Sequence, residues 1–183
     1  IRFDSSMLKQ IIQNGVPSGF QNSVIAIANV FVQSNINAFG KMAMAGCGSY
    51  SKIEGFAFLP VTCFTMALTT FVSQNLGAKQ YDRAKKGAKF GVLCSIAIAE
   101  LIGIIIYAAA PILITAFNRD PDVVHYGVMQ ARIIALFYCL LAFSHCIAAV
   151  LRGSGNASVP MIVMLCDWCL FRVSYITVAV RIL

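Results

Sequence analysis

Apolar residues along this chain fall into five long stretches, at about 10–39, 53–76, 88–117, 123–150 and 157–181, with short polar clusters between them. Each exceeds the ~20 residues that a helix needs to cross ~30 Å of hydrocarbon. The punctuation agrees with that division. Gly46-Cys47-Gly48-Ser49 predicts the first break, and Gly77 opens the second. Asn118-Arg119-Asp120-Pro121-Asp122 forms the third, and Arg152-Gly153-Ser154-Gly155-Asn156, with Pro160 just beyond, forms the fourth. The pattern predicts an all-α integral membrane protein with five transmembrane helices.

The second break carries a basic run, Gly77-Ala78-Lys79-Gln80-Tyr81-Asp82-Arg83-Ala84-Lys85-Lys86-Gly87-Ala88-Lys89, with five cations against one carboxylate. Lys and Arg are retained on the cytoplasmic side of membrane proteins, so this run is predicted to be a cytoplasmic loop. With Arg2, Lys9 and Arg152 on the same side, eight basic residues face the cytoplasm and four (Lys41, Lys52, Arg119, Arg181) face away. The chain start is therefore expected inside.

Composition supports lipid as the solvent: 59% of the 183 residues are hydrophobic, 11% are charged, and mean hydropathy is +0.79. Soluble domains carry about 25% charged residues. The net charge of +7 does not point to nucleic acid, because the cations sit between apolar spans. The seven cysteines are odd in number and mostly intramembrane, so free thiols that pack as small hydrophobes are expected. Cys166-Asp167-Trp168-Cys169 has redox spacing, yet it lies mid-span without a thioredoxin-like context, and packing is the reading. The chain starts at Ile1 without a signal peptide and stops in or just after an apolar run, which leads to the expectation of a piece of a longer protein.

Polar residues inside the spans hold the candidate chemistry. At about 100° per residue, Asn22, Asn29, Gln33 and Asn37 fall within about 80° of arc, with Ser18 and Gly40 extending the stripe. Amides cannot face lipid unsatisfied, so the stripe faces protein or a water-filled cavity. Four amides over four turns exceed what interhelical hydrogen bonding usually needs, which favours cavity lining. Pro17 is expected to kink the base of this helix. Four ionisable residues, Glu100, Arg132, Asp167 and Arg172, are expected to be buried within the membrane. By helical rise Glu100 lies ~18 Å and Asp167 ~15 Å from the cytoplasmic ends of their spans. Such residues mark a structural ion pair or function. A pair of Arg132 or Arg172 with Asp167 is the first reading, a proton or cation relay through Glu100 or Asp167 the second, and snorkelling the third. Asp167 and Arg172, five residues apart, are expected on somewhat different faces of their helix.

Catalytic motifs are missing: there is no G-x-S-x-G, no Walker loop and no pair of carboxylates at helical spacing within a span. Neither His125 nor His145 has a His or Cys at strong metal-ligand spacing. No enzyme activity, metal or cofactor is expected.

Several strings resemble the multidrug and toxic compound extrusion (MATE) family. Gly15-Val16-Pro17-Ser18-Gly19-Phe20-Gln21 is similar to the family's G-x-P-x-x-x-Q opening of a repeat, and Asn35-Ile36-Asn37-Ala38-Phe39-Gly40 to the outer end of that helix. Phe71-Val72-Ser73-Gln74-Asn75-Leu76-Gly77-Ala78, followed by Arg83 and Lys86-Gly87, is similar to its F-x-x-Q-N-x-G-A loop. Leu151-Arg152-Gly153-Ser154-Gly155 and Trp168-Cys169-Leu170-Phe171-Arg172 resemble a later loop and a W-x-x-x-R helix. The Q-N form of the loop and the Arg2-Phe3-Asp4 lead-in resemble the second of the family's two six-helix repeats. The resemblance implies helices seven to eleven of a twelve-helix transporter, with residues 1–183 a partial C-terminal lobe whose last helix and partner lobe are absent. The seventh and tenth helices of some branches carry a Glu and an Asp for cations; this chain has no carboxylate at either, so those sites do not transfer. The pattern is closer to the branch resembling DNA-damage-inducible protein F.

What the resemblance implies is a multidrug/organic-cation efflux antiporter of the cytoplasmic membrane, driven by H⁺ or Na⁺ through alternating access. The stripe would line the cavity, with aromatic surface from Phe20, Phe31 and Phe64, against amphipathic organic cations as substrates. Its partners would be membrane lipid and the N-terminal lobe, and no nucleic acid. A lipid-linked oligosaccharide flippase of the same superfamily is the alternative, since Arg132 and Arg172 suit an anionic pyrophosphate. An integral membrane enzyme and a structural subunit are remoter.

Overall fold

The computed structural model describes residues 5–182, which are helical throughout apart from short turns. In order come α1 (Ser5–Asn37), α2 (Lys41–Ala57), α3 (Leu59–Gly77), α4 (Tyr81–Thr115), α5 (Pro121–Ala135), α6 (Tyr138–Gly153) and α7 (Ser158–Leu165). A π-helical turn (Cys166–Phe171) and α8 (Arg172–Ile182) complete the fold. The helices make five passes: α1, α2 with α3, α4, α5 with α6, and α7 through α8. Arg2 and the Phe3-Asp4 lead-in lie outside the described residues, as do the side chains of Trp168, Cys169 and Arg181.

Two passes, Lys41–Gly77 and Tyr81–Thr115, are long and apolar enough to cross a membrane, and α5 with α6 makes a third although bent by 56°. Among the described residues α1 does not qualify, although it is 33 residues long. Its amides dilute its apolarity, and a helix with such a face needs protein or water on that side.

Two predicted boundaries move. Gly46-Cys47-Gly48-Ser49 is no break: it lies within α2, and the chain turns earlier, at 38–40, where Gly40 has φ +95°. The glycine serves close packing. A Cβ on Gly46 would stand 2.7 Å from the carbonyl oxygen of Val123 and 2.9 Å from the amide nitrogen of Gly127, so α2 and α5 meet backbone to backbone. The basic run is likewise shorter as a loop than expected. Only 78–80 turn, with Lys79 at φ 59°, and Lys85, Lys86 and Lys89 ride on the first turns of α4.

The core surrounds α4. Tyr50 and Ile53 of α2, Ala99, Ile106, Ala110 and Ile114 of α4, and Ala131 and Ala135 of α5 form its larger half. Leu68, Val92, Cys146 and Ala149 form the smaller half between α3, α4 and α6. Alanine at so many contacts lets the helices approach closely, which is what drives association where lipid removes the hydrophobic force between helices. Thr69 Oγ1 donates to the Ala149 carbonyl at 3.2 Å, a crosslink between α3 and α6. Outward from this core, Leu101, Ile104, Ile105 and Leu140 are exposed as a lipid-facing surface. Helix α1 stands apart, packed on α7 and α8 and touching α2 only lightly.

Candidate functional site

Polar residues of the outer helices gather beside α1, which packs on α8 and touches α2. On α1 the packed face is Gln21 and Ala28, both buried; the Gln21 amide nitrogen donates to the Met164 sulfur of α7 at 2.7 Å. The amide stripe faces the other way: Asn22, Asn29, Gln33 and Asn37 are all exposed on this chain. Gln33 Nε2 donates to Asn37 Oδ1 at 3.2 Å, one turn on, so two of the amides are joined along the stripe. Phe20 and Phe31 are exposed beside them, but Phe64 is not: it packs against the Leu68 and Cys146 cluster and belongs to the core.

Asn29 is tied to the opposite helix. Arg172 Nη1 of α8 donates to Asn29 Oδ1 at 3.0 Å. The π-helical turn before α8 explains the aim of that guanidinium. The Arg172 N–H reaches back five residues to the Asp167 carbonyl, widening the turn. In an α-helix residues five apart diverge, whereas this turn brings Asp167 and Arg172 to one face, where both line a cavity of about 430 Å³ with Phe171 and Tyr175. The expectation of different faces is therefore corrected, and the reason is one inserted residue per turn, a feature found often at functional sites.

A fourth member, Glu54 of α2, escaped the sequence reading. It is half-buried and interacts electrostatically with Arg172. Placing the helix start at 53 put Glu54 at a span edge; α2 begins at Lys41, which carries Glu54 well inside the helix. Behind it, the Tyr50 and Tyr138 hydroxyls pair at 3.0 Å in the core, both within the electrostatic reach of Glu54. The usable signal was the stretch from Lys41 to Phe58, which holds no proline.

The other expected charges sit elsewhere. Of the four predicted to be buried, Arg132 and Asp167 are exposed on this chain, while Glu100 and Arg172 are half-buried. Arg132 lies over the Tyr107 ring, 5.4 Å from its centroid, and lines a separate cavity of about 630 Å³ with Met129 and Pro121. It takes no part in the Asp167 cluster: its ring contact is with α4, and α4 and α5 line its cavity. Glu100 has one buried oxygen, Oε2, without a hydrogen-bond partner among the described residues. His145 stacks edge-on against Phe58, with centroids 5.0 Å apart.

Arg172 is thus held by the Asn29 amide, with the carboxyl groups of Glu54 and Asp167 within its electrostatic reach.

A family model described as MatE matches residues 17–177. The chain belongs to the MatE family. Among relatives, it is 28% identical over 158 residues to the probable multidrug resistance protein NorM of Thermotoga maritima, covering 86% of this chain and 34% of that one. It is 22% identical over 163 residues to the probable multidrug resistance protein YoeA of Bacillus subtilis, covering 89% and 35%. A third relative, 24% identical over 166 residues, is the FAD transporter of Shewanella oneidensis, covering 91% and 36%. The fold matches that of a MOP superfamily transporter from Pyrococcus furiosus with a TM-score of 0.83 at 18% identity, over 87% of this chain and 35% of that one. The MatE chain thus spans about a third of the length of the relatives it matches. These relatives are named as transporters and resistance proteins, not enzymes, and the fold is that of a multi-pass membrane protein.

Proposed function

We propose that this chain is most of the C-terminal lobe of an organic-cation efflux antiporter, with α1 forming a wall of the transport cavity. The observation that carries this reading is the exposure of the four-amide stripe on the face of α1 turned away from α7. An amide row of that length does not face lipid, so the partner lobe and a water-filled cavity lie against it. Amides beside Phe20 and Phe31 suit amphipathic cations, which they satisfy in several poses. Glu54 and Asp167 are the acids placed to couple H⁺ or Na⁺ entry to release of Arg172. The protein would sit in the cytoplasmic membrane with the 78–80 turn inside.

The test is thiol accessibility in the complete protein. Cysteines at positions 29 and 33 should react with a water-soluble reagent and be protected by ethidium, while a cysteine at the half-buried Ile25 stays inert. Inert cysteines at both 29 and 33 would show the stripe to be sealed against protein and the cavity to lie elsewhere. The same reagent reads orientation: Gln80→Cys should label only from inside and Pro121→Cys only from outside.

A second reading is favoured by Arg172. A guanidinium on the cavity side suits an anionic substrate such as a lipid-linked pyrophosphate, and one relative is named as carrying FAD. Protection of positions 29 and 33 by such an anion, with none by ethidium, selects it.

A further inference from the structure

A groove of about 620 Å³ runs between α3, α4 and α6, and no residue of α1 lines it. Val72 and Leu76 of α3, Val92 and Leu93 of α4, and Ile147 and Val150 of α6 form its walls. Along α6 it extends from Phe143 to Ser154, or ~16 Å at the helical rise. One leaflet of a ~30 Å hydrocarbon core is ~15 Å deep, so the groove is about as long as a single acyl layer.

Its rim is cationic. Lys85 and Lys89 stand one turn apart on the same face of α4, both exposed, and both line the groove. No carboxylate lines it among the described residues; Asp82, exposed on the first turn of α4, shares the lysine face but lies outside the groove lining, so the groove itself carries two cations and no acid. Lysine stems lie along apolar walls while their ammonium groups reach headgroup level, which puts two positive charges at the mouth.

We propose that this groove binds an anionic phospholipid, its acyl chain laid between α3, α4 and α6 and its phosphate held by Lys85 and Lys89. Charge complementarity selects this occupant. A further transmembrane helix seated here would bury two ammonium groups unless it brought two acids, a cost that lipid phosphate avoids. A zwitterionic headgroup would bring its own cation to the same place, whereas basic residues at the membrane surface attract anionic lipid.

The experiment is native mass spectrometry of the complete protein, titrated with phosphatidylglycerol and with phosphatidylcholine of the same acyl chains. Phosphatidylglycerol should be retained about tenfold more strongly, and the preference should vanish in Lys85→Gln/Lys89→Gln but persist in Lys85→Arg/Lys89→Arg. The arginine variant and an unchanged gel-filtration profile separate loss of the site from loss of the fold. A photoactivatable phosphatidylglycerol should crosslink to 84–93 and 147–150. Undiminished preference in the glutamine variant, crosslinks confined to other segments, or a disulfide from Ile147→Cys to protein beyond residues 1–183 would each overturn the site. Because the readout is lipid retention, it stands apart from whether the protein exports cations.

Discussion

Around α4 the helices touch through glycine and alanine; between α1 and α8 they touch through an amide and a guanidinium. At the α2–α5 contact a single added methyl would press on backbone atoms 2.7–2.9 Å away. At Gly15 and Gly19 of α1 an added Cβ meets nothing within 4 Å. The first region is a close-packed wedge with no room to rearrange, and the second is open, polar and joined by few contacts. Packing of the first kind makes one arrangement; contacts of the second kind exchange partners. The difference sets a rigid region against one able to move.

The largest effect should come from breaking the packed region. Gly46→Val forces α2 and α5 apart, because the colliding atoms are backbone, and should cost about 2–3 kcal/mol. Gly19→Val, in open space, should change stability by less than about 0.5 kcal/mol. Thermal unfolding of the purified variants, followed by fluorescence gel filtration, measures both. Equal losses would erase the contrast between the two regions.

Next in size is the reverse case, in which function fails and the fold survives. Arg172→Met removes the bond to Asn29 and the partner of Glu54, and ethidium efflux from proteoliposomes should fall at least about tenfold. Its unfolding temperature should move less than that of Gly46→Val, since single hydrogen bonds in membranes average about 0.6 kcal/mol. Glu54→Gln should lower efflux in the same direction, and full efflux from both variants would remove this cluster from the mechanism.

The smallest effect sharpens the border between the regions. Tyr50→Phe deletes one hydroxyl of the buried Tyr50–Tyr138 pair and should cost about 0.6 kcal/mol with efflux unchanged. A drop in efflux with stability retained would extend the functional cluster through Glu54 into the core.

The sequence told the five helical passes, their turns at 116–120 and 154–157 and the amide stripe, because each is a local matter. Apolar runs, turn residues and a 3.6-residue period act within a few turns of one helix. The same locality explains Asp120, whose side chain accepts from the Asp122 amide at 3.0 Å to cap α5 ahead of Pro121. It misread Gly46 as a break because a glycine that makes a turn and a glycine that admits a neighbouring helix are the same letter. Only the position of α5 tells them apart.

The cluster at α8 is the sharper instance. Asp167 and Arg172 were visible as intramembrane charges from composition alone. Nothing in their spacing announced a π-helical turn, which turns a five-residue separation into a shared face. Glu54 joined them only once α2 had been extended back to Lys41, which brings its carboxyl within electrostatic reach of Arg172. Membrane insertion and helix content are sums over residues of one segment, so the chain determines them by itself. Which polar groups meet depends on where α8 settles against helices more than one hundred residues before it, and that was decided by the tertiary structure.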